Sequence, residues 1–189
     1  GFGVEGEGVW PVVNGDPVRR SRGDLLLTPG WNFHGHHTDA DQPMAWIDGL
    51  DIPCSTQMDV GFFEFGSERV TDEASPEFSR AERLWAHPGL RPLSALEPKV
   101  SSPLSAYRWE HTDAAVSEQL RLEDEGYPAT VSQGHAAIRF MNPTTGGDVM
   151  PTIRCEFHRL RSGASTATTH EAGSSVWQVF DGTGSVVLN

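Results

Sequence analysis

Apolar runs in this chain are short, and turn-forming pairs break them at close intervals; that punctuation limits the folds open to it. Val9-Trp10-Pro11-Val12-Val13 meets Asn14-Gly15, and Leu25-Leu26-Leu27 is followed by Pro29-Gly30. Asn-Gly tolerates the positive φ angles of a type I′ turn, so the first pair predicts a tight hairpin. Arg22-Gly23-Asp24 forms a second turn, and Pro43 to Asp48 is a further strand with Met44, Trp46 and Asp48 on one face. With 20 Gly, 13 Pro and only 37% hydrophobic residues in 189, this spacing predicts an all-β barrel or jelly roll rather than a helical bundle.

Charge narrows the function. A formal net charge of −12 argues against nucleic acid or an anionic membrane surface as the main partner. No apolar run approaches the length of a membrane span. Cys54 and Cys155 are distant and form no Cys-x-x-Cys pair, so neither a zinc ribbon nor a disulfide framework is expected, and a cytoplasmic location is.

Chemistry concentrates in Leu27-Thr28-Pro29-Gly30-Trp31-Asn32-Phe33-His34-Gly35-His36-His37. As a strand, this segment places Trp31 and Phe33 on one face and His34 and His36 on the other. Two imidazoles on one strand face suit a mononuclear metal site or a polar pocket around one. The competing reading is a His-rich surface loop.

From Cys54 to Thr145 the pattern changes. Gly61-Phe62-Phe63-Glu64-Phe65 reads as one more strand, Pro76 to Trp85 as a helix, and Thr112 as the N-cap of a helix that Gly126 ends. Trp85, His87, Trp109 and His111 read as packing residues. Strands return at Thr152–Leu160 and Ser174–Phe180. Val4-Glu5-Gly6-Glu7-Gly8 resembles Phe180-Asp181-Gly182-Thr183-Gly184, a faint internal repeat that implies repeated architecture. Gly1 is not preceded by Met and the chain closes within an apolar run, so an internal piece of a longer protein is expected.

The segment from Leu27 to His36, followed by Trp46-Ile47-Asp48-Gly49-Leu50-Asp51-Ile52-Pro53, resembles the first-cupin signature of the gentisate 1,2-dioxygenase family, which includes salicylate and 1-hydroxy-2-naphthoate dioxygenases. Ser102-Pro103-Leu104 through Glu110, and Met141-Asn142-Pro143-Thr144-Thr145-Gly146-Gly147 with Met150-Pro151-Thr152, resemble the family's linker. The resemblance implies an all-β bicupin of two jelly-roll barrels, incomplete at both ends. Residues 1–65 would be the C-terminal part of the first, iron-binding cupin. Residues 66–147 would be a partly helical linker, and 148–189 the N-terminal part of a metal-free second cupin, where His170-Glu171-Ala172 stands in place of His-x-His.

By the same resemblance, Fe(II) would be held by three histidines, with His34 as one ligand and a His-x-His pair expected upstream of Gly1. His36 and Asp48 match pocket residues, His36 as hydrogen-bond donor and Asp48 as acceptor from a ring hydroxyl; Trp31 matches an aromatic of the pocket wall or core. The implied reaction opens the ring of an aromatic hydroxy acid with O2, in a homo-oligomer (dimer or tetramer). Arg19, Arg20 and Arg22 are candidates for a substrate carboxylate, although their place after a hairpin favours a solvated edge. A non-catalytic cupin binding a small aromatic or carboxylate ligand is the rival, and a metal-dependent cupin isomerase a third reading.

Overall fold

A computed structural model describes residues 1–39, 41–66 and 76–188. The chain runs through β1 (Phe2–Glu5), β2 (Glu7–Val13), β3 (Asp16–Pro17), β4 (Arg20–Ser21), β5 (Leu25–Leu26), β6 (His34–Thr38) and β7 (Ala45–Ile47). It continues through α1 (Ile52–Gln57), α2 (Arg80–Trp85), a 3-10 turn at Leu93–Ala95, β8 (Ala106–Tyr107), α3 (Trp109–Asp124), β9 (His135–Arg139) and β10 (Glu156–Leu160). Short antiparallel strands predominate, as the Gly and Pro punctuation predicts. The β2–β3 hairpin turns at Asn14 and Gly15 with φ of 48° and 77°, the positive angles that type I′ requires. β2 also pairs with β4 and β6, a second sheet runs β7-β1-β5-β8, and β9 pairs with β10.

Alternation along β5 ties the parts together. Leu25 and Leu27 enter a core with Phe140 and Val149, to which Phe2, Tyr107, Ile138, Cys155 and Phe157 add. Leu26 points the other way, onto Val18 and Ala106. A buried ionic seam lies alongside: Arg108 Nη1 donates to Asp24 Oδ2 at 2.9 Å, and its Nε donates to Glu82. Asp24 and Glu82 are both about 2% exposed, and removing one partner of such a pair costs roughly 3–5 kcal/mol. Gly23 permits the close approach, because a Cβ there would stand 2.6 Å from the Trp109 ring.

Several local expectations are corrected. The helix expected to start after Thr112 begins at Trp109, because Trp109 N–H donates to Asp24 Oδ1 at 2.8 Å; the cap is 85 residues away. Helix α2 is shorter than Pro76–Trp85, starting after Ser79, whose side chain forms a capping box with Glu82. Residues 61–65 form no strand, and Phe62, Phe63 and Phe65 are exposed. Ser174–Phe180 forms none either; Phe180 instead packs on Trp109, with ring centroids 4.7 Å apart. Neither segment has a strand beside it among the described residues to accept its backbone hydrogen bonds. Trp85 and Trp109 do pack, but His87 and His111 are exposed. Both cysteines are free, and no helix among the described residues is long and apolar enough to cross a membrane.

Candidate functional site

Strand register assembles the site. Directly opposed residues of an antiparallel pair project to the same face, and β2 opposes Val13 to His34, Pro11 to His36 and Val9 to both Thr38 and Arg20. His34, His36 and Arg20 therefore share a face. β7 brings Trp46 to it: the His36 and Trp46 rings stack with centroids 5.3 Å apart, and the Arg20 Cζ lies 4.6 Å from the Trp46 ring centre. Trp46 Nε1–H donates to Asp48 Oδ2 at 3.0 Å. His34 stands edge-on to His36, with centroids 6.1 Å apart.

His34 lies on the open rim of this group, and its Nδ1 is 3.3 Å from the Asn32 carbonyl oxygen. That hydrogen bond engages one ring nitrogen and leaves Nε2 free. Among the described residues no three His, Cys, Asp or Glu side chains come together as a metal site. The residues present thus fit a metal only as contributors of one imidazole. Partial desolvation, then the Arg20 and His34 charges, lower the His36 pKa against the opposing pull of Asp48, which favours the neutral ring with one N–H donor and one acceptor. Asp48 is about half exposed; its Oδ1 lies 3.6 Å from the Gly1 amine.

Trp31 is not brought to this group. It sits in the turn with φ of 63° rather than in β6, 72% exposed, its ring 5.0 Å from that of Phe62. The Asn32 side-chain amide donates to the Pro29 and Gly30 carbonyls at 3.0 Å each, extending the turn and delaying the strand to His34. A cavity of about 190 Å³ lined by Val13, Asn14, Pro29, Asn32, Ser102 and others lies apart from His36, Trp46 and Asp48.

The three arginines separate. Arg19 is exposed, as a solvated edge requires. Arg22 donates to the Val4 and Phe180 carbonyls and covers the Phe180 ring. Arg20 is 1% exposed, and burial lowers its pKa, opposed by the Asp48 and Asp24 charges. Sequence reasoning placed Trp46 on the Asp48 face without giving it a role and set Arg20 aside. The signal for Arg20 was its register against Val9, which only the bulge between Glu7 and Val9 fixes.

A second polar group lies on the β9–β10 pair, where His135 joins Glu156 and His158. His158 Nε2 is 3.0 Å from Glu156 Oε2, and His158 Nδ1 is 2.9 Å from Nε2 of His135. The Trp177 ring stands against His158 with centroids 4.9 Å apart.

No family model matches the chain. Similar proteins do: a gentisate 1,2-dioxygenase of Streptomyces sp is 57% identical over 181 residues, 96% of this chain and 50% of that protein. Gentisate 1,2-dioxygenase 1 of Aquipseudomonas alcaligenes is 30% identical over 183 residues, 97% of this chain and 51% of its own length. The crystal structure of a salicylate 1,2-dioxygenase from Pseudaminobacter salicylatoxidans superposes with a TM-score of 0.83 at 77% identity, covering 86% of this chain and 46% of that one. A structure of the salicylate enzyme from the same source as an adduct with gentisate gives 0.84 at 78% identity. The chain spans about half the length of the curated relatives it matches.

Proposed function

Because the chain is a homologue of the gentisate and salicylate 1,2-dioxygenases over the half of their length that it matches, we propose that it belongs to a cytoplasmic, homo-oligomeric dioxygenase that opens the ring of a gentisate-type aromatic hydroxy acid. The observation that carries this reading is the convergence of His34, His36, Trp46 and Asp48 on one face of a fold shared with the salicylate enzyme. In this reading the fold is a bicupin. Residues 1–65 belong to the first barrel, 66–147 to the linker, of which 67–75 lie outside the described residues, and 148–189 to a second, metal-free barrel. His34 contributes one of three imidazoles to Fe(II), with the other two from outside these 189 residues. When bound, the metal supplies chelation of the substrate oxygens and activation of O2.

The chain's own residues orient the acid. Trp46 holds Asp48 through Oδ2, and in this reading the half-exposed carboxylate accepts from a ring hydroxyl, which would select hydroxylated rings. Neutral His36 donates one N–H to substrate oxygen and stabilises charge that develops there. Trp31, on the turn beside Phe62, belongs to the pocket wall in this reading.

The test is oxygen uptake by the complete, Fe(II)-reconstituted protein with gentisate, salicylate and 1-hydroxy-2-naphthoate. Uptake with one of them and a ring-opened product is expected. Bound iron without uptake for any of the three would replace this reading with a non-catalytic ligand-binding cupin.

A further inference from the structure

One peptide unit links the tip of the β2–β3 hairpin to His34. The peptide between Asn32 and Phe33 donates its N–H to the Asn14 side-chain Oδ1 at 3.0 Å, and its carbonyl oxygen lies 3.3 Å from His34 Nδ1. A trans peptide is planar, with N–H and C=O pointing in opposite directions. Holding the N–H on Asn14 therefore fixes where the carbonyl points, and it points at the imidazole. Backbone groups set the orientation of both side-chain amides. Asn32 Nδ2 meets two carbonyls, those of Pro29 and Gly30, at 3.0 Å each, so its Oδ1 is left to accept from Asn14 Nδ2. Asn14 Oδ1 is then the atom that meets Phe33 N–H. Packing does not hold this turn. Trp31 and Phe33 are 72% and 56% exposed, and the cavity of about 190 Å³ lies against Asn14, Pro29 and Asn32. Trp31 moreover has a φ of 63°, a conformation that residues with a bulky side chain rarely adopt unless it is imposed. The two asparagines impose it.

A carbonyl facing Nδ1 selects one tautomer, with the proton on Nδ1 and the lone pair on Nε2. Turned over, the same peptide would present its N–H to the ring and favour the opposite tautomer. We infer that Asn14 is a positioning residue for His34: through the Asn32–Phe33 peptide it holds the imidazole in the Nδ1–H form with Nε2 ready to bind a metal. The inference rests on the reading of His34 as a ligand and names what presets it. Outer partners of this kind fix ring orientation before the metal arrives, and so strengthen its binding. Asn14 thus has two separable roles, the positive φ of the hairpin in its backbone and the hold on the peptide in its amide.

The experiment measures Fe(II) affinity of the complete protein by anaerobic chelator competition, for the native protein, Asn14→Gly and Asn14→Asp, at high salt so that the added aspartate charge is screened. Glycine keeps the positive φ and removes the amide; aspartate keeps an acceptor for Phe33 N–H. Asn14→Gly should weaken Fe(II) binding about tenfold, the low end of what such outer partners contribute. The melting temperature of its metal-free form should stay close to native, and Asn14→Asp should recover most of the lost affinity. Nitrogen NMR of histidine-labelled, metal-free protein should show native His34 protonated on Nδ1 and shifted toward the Nε2–H form in Asn14→Gly. Unchanged Fe(II) binding in Asn14→Gly, or equal weakening by glycine and aspartate, would overturn the inference. So would an Nε2–H His34 in the native protein, a result that needs no variant to fold. Tenfold weakening in Asn14→Gly, with no oxygen uptake by the native protein, would uphold Asn14 as the positioning residue and defeat the dioxygenase reading instead. Iron held as tightly by His34→Ala as by the native protein would defeat the ligand reading, and the tautomer shift would then decide the inference alone.

Discussion

Two histidine pairs sit in two regions of this molecule and are built in opposite ways. His34 and His36 are two residues apart on one strand, exposed, with rings edge-on at 6.1 Å. His135 and His158 come from the two strands of the β9–β10 hairpin, stack at 5.2 Å and share a hydrogen bond of 2.9 Å. The first pair keeps ring nitrogens free to meet something else. The second spends its nitrogens on itself: with Glu156 accepting from His158 Nε2–H, His158 Nδ1 accepts from His135 Nε2–H. This assignment leaves His135 Nδ1 unprotonated, buried and unpartnered. Imidazoles in proteins do chemistry when a nitrogen is left accessible to a ligand, and stabilise structure when their nitrogens are paired or buried.

That contrast can be broken at either end. The largest effect is expected at His34→Ala, which should reduce oxygen uptake about a thousandfold or more, the scale of several kcal/mol of metal assistance. Bound iron should fall with it while the melting temperature stays within a degree or two; activity lost with iron content intact would remove His34 from the ligand set. Next comes His36→Leu, expected to lower kcat about a hundredfold, as loss of one charge-stabilising donor does, with iron content unchanged. An unchanged kcat would make His36 a bystander.

At the second pair the sign of the experiment reverses. His135→Ala should leave turnover per folded molecule as it was and destabilise by about 2–3 kcal/mol in denaturant titrations, because His158 Nδ1 loses its donor. A variant as stable as the native protein would show that the stacked pair contributes nothing. The smallest expected effect is a pH dependence. Burial, then His158, lowers the His135 pKa from its ordinary value of about 6.5. The unfolded chain therefore takes up this proton at higher pH than the folded one. The contribution to stability is complete above that ordinary value and is lost as pH falls through it toward the lower folded value. Melting temperatures between pH 7 and pH 5 should show this slope, and His135→Gln should flatten it.

The sequence carried the first pair because proximity along a strand is written in the order of residues. Alternation put His34 and His36 on one face and Trp46 with Asp48 on another, and the register of β2, β6 and β7 made those faces converge. The second pair was hidden, since 23 residues separate His135 from His158 and no periodicity marks the hairpin that joins them. Trp31 shows the limit of alternation itself: the rule fails where Asn32 holds the backbone in a turn.

By itself, then, the chain determined what depends on neighbours in sequence. Asn14-Gly15 made the hairpin because few other pairs accept two positive φ angles, Ser79 and Glu82 capped α2, Gly126 ended α3, and short Gly- and Pro-bounded runs made strands rather than long helices. Tertiary structure decided what depends on distant charges and edges. Asp24 set the start of α3 from 85 residues away, lone apolar segments such as 61–65 stayed unpaired, and Arg20, written near two arginines that serve as edge and staple, is buried opposite Val9, next to the bulge between Glu7 and Val9. Local dihedral and alternation preferences are properties of a few adjacent residues; burial of a charge is a property of everything that surrounds it.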